Sequence, residues 1–239
     1  MVKQKKLSIF SLKASILFIL TFFLIILYFY FSPYFEINNV SKAYITNQGD
    51  NTVSIIDLET LKTLKTLKVG VAPLGITILQ KKKLVFVGNV GTDDISVIDA
   101  VNDTLIKTIK LGTAPLSLAS NSEETKVYVT DWFQNNVLTI SADEMKVTRR
   151  LKVGVTPSGI AYNKKYKYKV ITNRDANTLE IYNENDDLVK KIETGNHPFG
   201  VYSEGDFAYV ANVYDDSVSI INLVDWSKYE FMVGAHPYN

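Results

Sequence analysis

The sequence predicts an all-β fold: a five-bladed β-propeller of four-stranded antiparallel blades, preceded by one N-terminal transmembrane helix. Three observations predict it. A Gly-x-x-Pro tetrapeptide recurs five times, its prolines (Pro73, Pro115, Pro157, Pro198 and Pro237) spaced 42, 42, 41 and 39 residues apart. Between copies the chain reads as four short β-type runs separated by Asn, Asp and Gly. Ahead of the first copy, residues 14–31 form an uncharged apolar run after a basic start. A fixed period near 40 residues signals a stacked or radial architecture, and four antiparallel strands per period make one propeller blade. A β-helix has a shorter period, and helical repeats show a 3.6-residue periodicity that is missing here.

The first element is the run ASILFILTFFLIILYFYF, preceded by Lys3, Lys5, Lys6 and Lys13. Eighteen residues at about 1.5 Å each nearly span a hydrocarbon core of about 30 Å, and the LSIFSL before them can lengthen the helix. A secretory h-region is shorter, about 7 to 15 residues, and ends in a small-x-small cleavage site. The FSPYFE that follows offers none. Residues 1–13 are therefore expected to be a cytoplasmic basic tail and 14–31 an uncleaved signal anchor. Residues 34–239 are expected to be an extracytoplasmic propeller at the periplasm or cell surface, on the positive-inside bias. The competing expectation is a cleaved signal peptide and a released soluble domain.

The five repeats run approximately over 34–70, 71–112, 113–154, 155–195 and 196–239. Each contains an apolar run (KAYITN, LVFVGN, VYVTD, KVITN, AYVAN), expected to be a strand buried on both faces. An alternating run follows (NTVSIID, DISVID, NVLTI, NTLEIY, DSVSII), whose period of two predicts a strand with one less buried face. The third run carries Lys62, Lys65, Lys68, Lys107, Lys110, Arg149, Arg150, Lys152, Lys190 and Lys191. Such charge suits an outermost strand, where it blocks strand addition by another molecule. The innermost strand follows Gly-x-x-Pro. Blade one takes its own from YFEINNV at 34–40, which would close a five-blade ring; an open or truncated arc is the alternative.

Composition narrows the function. The net charge is +1, with four lysines and no acid before position 34, so the remaining body is slightly acidic. That body lacks the footprint of a nucleic-acid binder, and no nucleic-acid partner is expected. The absence of cysteine removes disulfides, thiolate catalysis, Cys-ligated zinc and covalent haem attachment. No phosphate loop, nucleophile elbow or HExxH motif occurs.

At residues 44–76, YITNQGDNTVSIIDLETLKTLKTLKVGVAPLGI, the chain resembles the YVTN-type propeller repeat family, and the resemblance extends over about 200 residues through all five copies. It implies the propeller fold. For function it implies a range: surface-layer and adhesion proteins, periplasmic proteins, and relatives of lactonase and haem-containing nitrite reductase propellers. Seven blades are common in that family; five are counted here.

The candidate functional surface is the face holding the Gly-x-x-Pro loops and the turns between each blade's second and third strands, because loops on a rigid scaffold carry function. Trp132 and Phe133, Arg174 and Asp175, and Tyr214, Asp215 and Asp216 form an aromatic and charged arc there, expected to bind a protein, peptide or envelope glycan. His197 and His236 occupy the same repeat position in adjacent blades. Imidazole plus carboxylate suits a divalent metal, the only cofactor considered, and a metal there could serve a lactonase- or esterase-like hydrolase. The competing reading is that His-Pro is a variant of the loop. A surface-layer structural role is the third alternative. On the opposite face, Lys81, Lys82, Lys83, Lys164, Lys165 and Lys167 mix with Glu123, Glu124, Glu204 and Asp206, which predicts a solvated surface.

Overall fold

The computed structural model describes residues 41–238, and Lys42–Asn239 forms one compact unit. Five antiparallel sheets follow one another along the chain. Blade one contains β1 (Lys42–Asn47), β2 (Thr52–Asp57) and β3 (Thr63–Lys68), and blade two β4 (Pro73–Leu79), β5 (Leu84–Asn89), β6 (Asp94–Asp99) and β7 (Thr104–Lys110). Blade three contains β8 (Pro115–Ser120), β9 (Lys126–Asp131), β10 (Asn136–Ser141) and β11 (Lys146–Lys152). Blade four contains β12 (Pro157–Asn163), β13 (Tyr168–Asn173), β14 (Thr178–Tyr182) and β15 (Leu188–Glu193). Blade five contains β16 (Pro198–Glu204), β17 (Phe207–Asn212), β18 (Ser217–Asn222) and β19 (Lys228–Met232). Within each sheet the strands pair in sequence order, so the cationic third run is the outer strand, as expected. Blade one has three strands among the described residues. The inner strand expected from 34–40 and the apolar run 14–31 lie outside them. No helix among the described residues is long and apolar enough to cross a membrane.

The core lies between blades. Val53 and Ile55 pack on Val85, Val87 and Ile98; Phe86, Ile95 and Val97 on Val127, Val129, Leu138 and Ile140. Tyr128 and Val137 pack on Ile160, Ile171 and Tyr182, and Val170, Leu179 and Ile181 on Ala208, Val210 and Ile221. A sheet sandwiched between two others buries both faces. The alternating strands β6, β10 and β14 are therefore buried almost throughout, rather than on one face as the period of two suggests. Only β2 of blade one and β18 of blade five keep the plain alternation.

The repeat letters have identifiable jobs. The Thr of the first apolar run latches its blade to the next: Thr46, Thr130 and Thr172 donate Oγ1 to the carbonyls of Leu74, Ser158 and Phe199 at 3.1, 3.1 and 2.7 Å. The inner strands approach so closely that a Cβ on Gly159 would lie 2.4 Å from the Phe199 carbonyl. The residue before proline is left-handed at Ala72, Thr156, His197 and His236, with φ between 52 and 55°. Each donates its backbone N–H to Asn51, Asn135, Asn177 or Asp216 at 2.8–2.9 Å. Those four acceptors are themselves left-handed, which Asn and Asp tolerate best. These bonds bring the Gly-x-x-Pro loops and the second turns to one end of the propeller.

At the opposite end the lysines are not merely solvated. Lys82 pairs with Asp143, Lys165 with Asp206 at 2.5 Å and Lys167 with Glu123 at 3.3 Å, each bridging neighbouring blades. Long side chains at converging turns reach carboxylates of the neighbouring blade, and Lys167 also lies 3.8 Å from Glu184 of its own. Between blades three and four, Asp186 receives two cations, the buried Lys169 and, at 2.6 Å, Arg149. The Lys169 ammonium lies 5.4 Å from the Tyr128 ring centre. Burial, with Arg149 nearby, pushes Lys169 down to about 8.

Candidate functional site

The loop end of blades three to five gathers most of the predicted arc. The left-handed backbone at Asn135, Asn177 and Asp216 turns each loop sharply after its strand and leaves the preceding residues projecting. Arg174 lies between two aromatic rings, its guanidinium carbon 5.7 Å from the centre of Trp132 and 5.9 Å from that of Tyr214. Such stacking is worth about 0.5 to 2 kcal/mol per pair, more when desolvated. Asp175 fixes the guanidinium from one side, its Oδ1 2.7 Å from Nη1. The other Asp175 oxygen accepts from Thr156 Oγ1 at 2.6 Å.

His197 joins this group. Its ring centre is 4.2 Å from that of Tyr214, its Nε2 is 3.8 Å from Asp175, and its buried Nδ1 has no partner among the described residues. His236 meets Tyr214 edge-on at 6.2 Å. The two histidines therefore share a region, with the Tyr214 ring contacting both. Among the described residues no group of three or more His, Cys, Asp or Glu side chains is placed to hold a metal ion.

Two predicted residues serve the loops. Asp215 accepts the Asn196 backbone and side-chain amides, both at 2.7 Å, and those bonds hold its carboxyl below the usual range. Asp216 accepts the His236 backbone N–H. Phe133 is 74% exposed at the rim and touches none of the cluster's rings. Sequence reasoning missed Phe199 and Tyr238, which extend the aromatic surface: Phe199 lies 6.1 Å from Trp132 and meets Tyr238 edge-on at 5.2 Å. The signal was available, since blade five alone follows its proline with an aromatic residue among the four proline-led inner strands.

The family model for YNCE-like β-propellers matches residues 30–210. The chain belongs to the YNCE-like β-propeller family. No curated protein matches it. Solved structures share the fold: hydrazine synthase of Kuenenia stuttgartiensis has a TM-score of 0.76 at 18% identity, covering 83% of this chain and 66% of that one. Virginiamycin B lyase from Staphylococcus aureus, solved as a catalytically inactive variant with quinupristin, has a TM-score of 0.73 at 15% identity, covering 84% and 70%. A functionally unknown protein from Desulfotomaculum acetoxidans has 0.73 at 15% identity, covering 82% and 68%. The chain thus spans about two thirds of the length of these structural neighbours, and at such identities the likeness concerns the fold.

Proposed function

We propose that this YNCE-like propeller is a binding module, displayed outside the cytoplasm by an N-terminal membrane anchor, that recognises a protein, peptide or envelope glycan through the loop end of blades three to five. The observation that carries this is Arg174, stacked between Trp132 and Tyr214 and braced by Asp175. Rigid aromatic and arginine anchors surrounded by loops are the composition of recognition surfaces, and they lose little side-chain entropy on binding. Trp132 and Arg174 are each partly covered, while Tyr214 and Phe133 are exposed, so the cluster offers a held centre with an open rim. The basic start and the apolar run 14–31 support the anchor.

A hydrolase built on His197 and His236 is less well supported, because Tyr214 contacts both rings and a convergent third ligand is missing among the described residues. The lyase neighbours support the fold and no shared chemistry.

Trp132 and Trp226 are the two tryptophans. In a Trp226→Phe chain, the fluorescence of Trp132 reports on the site alone. Titration with envelope glycan fragments and peptides should quench or shift it for the true ligand class, and Arg174→Ala should abolish the response. A ligand that binds the chain yet leaves Trp132 unchanged would contradict the proposal.

A further inference from the structure

Charge is segregated on this propeller. The outer strands of blades one to four (β3, β7, β11 and β15) carry ten lysines and arginines against a single acid, Glu193. The rest of residues 42–239 carries 12 cations against 23 acids. A nearly neutral chain therefore has a strongly basic belt around its circumference and a surplus of carboxylates elsewhere. Keeping a sheet edge from pairing with another chain needs charge of either sign. Blade five meets that need with Lys228 and Glu230 on β19. Edge protection alone does not call for one sign in four consecutive blades.

The cations also stand in register. Lys65, Lys107, Arg149 and Lys190 pair with Ile55, Val97, Thr139 and Ile181, the same position of the third strand in each blade. Lys68, Lys110 and Lys152 pair with Thr52, Asp94 and Asn136, the first residue of that strand. Two tiers result, three residues or about 10 Å apart along each strand. The first runs through four blades, and the second, nearer the loop end, through three. Glu193 ends the second tier in blade four, and Tyr229 and Met232 take the two positions in blade five. Four of the ten cations are engaged by carboxylates: Lys110 by Asp94, Lys146 by Glu144, Arg149 by Asp186 and Lys191 by Glu180. The other six, Lys65, Lys68, Lys107, Arg150, Lys152 and Lys190, are exposed and have no ion pair among the described residues. Lys65, Arg150 and Lys152 reach only backbone carbonyls, those of Asp103, Leu111 and Gln134.

We propose that this belt binds a linear, flexible polyanion that carries no bases: a glycan or polyol chain with phosphate or carboxylate at each repeat, laid around the circumference across the outer strands. Cations at repeating positions complement anions at repeating positions, and weak contacts add up along one tethered chain. Shape favours a chain over a surface. The outer strands of successive blades face different directions around the propeller axis, so a flat anionic bilayer touches one or two of them while a flexible chain follows all four. Double-stranded nucleic acid, stiff over about 50 nm, cannot follow that curve. Single strands are held largely by stacking bases on aromatic side chains, and β3, β7, β11 and β15 contain none. No belt residue belongs to the loop-end cluster around Arg174, so occupancy of one surface leaves the other open.

The test titrates the full chain, in nonionic detergent, into fluorescently labelled poly(glycerol phosphate) and into labelled polyuronate, read by anisotropy. At least one polymer should bind at about 50 mM salt and weaken on the order of a hundredfold by about 200 mM, as counterion release by about six cations requires. The preferred polymer distinguishes phosphate from carboxylate. Long chains should bind at least about tenfold tighter than short oligomers of the same polymer. A variant with one exposed change per blade (Lys68→Gln, Lys107→Gln, Arg150→Gln and Lys190→Gln) and unchanged thermal unfolding should lose at least about tenfold in affinity. The charge-keeping variant Lys68→Arg, Lys107→Arg and Lys190→Arg should bind as the wild type does. Failure of both polymers to bind at low salt overturns the proposal, as does equal binding of long and short chains. Binding that survives in the glutamine variant, carried by the N-terminal lysines or any other group, overturns it too. Single-stranded DNA, or anionic lipid added to the micelles, that displaces the polymer at equal charge concentration overturns the assigned occupant.

Discussion

Replacing Asp186 by asparagine removes the one carboxylate on which Lys169 and Arg149 converge between blades three and four. The Lys169 and Asp186 side chains are 1% and 5% exposed, so Lys169 cannot rehydrate, whereas Arg149 is mostly exposed and loses little. Breaking a buried pair by deleting one partner costs about 3–5 kcal/mol, and an exposed pair is worth about 0–1. Asp186→Asn should therefore lose about 3 kcal/mol at pH 7. The sign of the pH dependence follows from Lys169. Its folded-state pKa is depressed to about 8, and without Asp186 it is lower still, while the unfolded chain keeps the ordinary lysine value. Between those two values the unfolded state holds more protons, so stability rises with pH. The deficit of Asp186→Asn should thus shrink to about 1 kcal/mol at pH 9.5, where Lys169 is neutral in both folded proteins. Lys169→Met, which deletes the buried charge instead of stranding it, should cost less at pH 7. Equilibrium urea unfolding followed by tryptophan fluorescence measures all three. A deficit below about 1 kcal/mol at pH 7, or one that does not change with pH, would refute the reasoning.

Other outcomes follow from the same contacts. Thr172→Val should lower stability by about 1–2 kcal/mol in urea unfolding, because it deletes the latch to the Phe199 carbonyl at a fully buried position. Gly159→Ala should cost more than about 1 kcal/mol, since the added carbon meets backbone rather than a side chain that can move. Ala72→Gly should leave the melting temperature level or raise it slightly by relieving a left-handed residue, whereas Ala72→Val should lower it.

The blades were legible because each strand's role is written locally. Val, Ile and Tyr runs, left-handed Asn or Asp at turns, and Lys or Arg on the outer strand recur with the period. What was not legible depends on blade-to-blade geometry. Lys169 sits in an apolar run, but only the packing of blade three against blade four shows that it is buried on Asp186. The lysines opposite the loop end read as a solvated surface, and their reach to the neighbouring blade's carboxylates is a property of converging turns. Of the candidate site, Trp132, Arg174, Asp175, Tyr214 and His197 were named from loop position alone and the fold brings them together. Asp215 and Asp216 were named too, yet their oxygens hold the Asn196 and His236 amides. Phe199 was overlooked because a residue following proline reads as strand.

The most direct test of the account is the binding of the full chain, in detergent, to an array of envelope glycans and peptides, compared with a Trp132→Ala, Arg174→Ala double variant of unchanged thermal stability. Anchors of this kind contribute about 2 kcal/mol or more, so the account predicts at least a tenfold loss of affinity for the bound class, with a Lys83→Glu control at the opposite end unaffected. Binding that survives in the double variant, or is lost in the control, would contradict it.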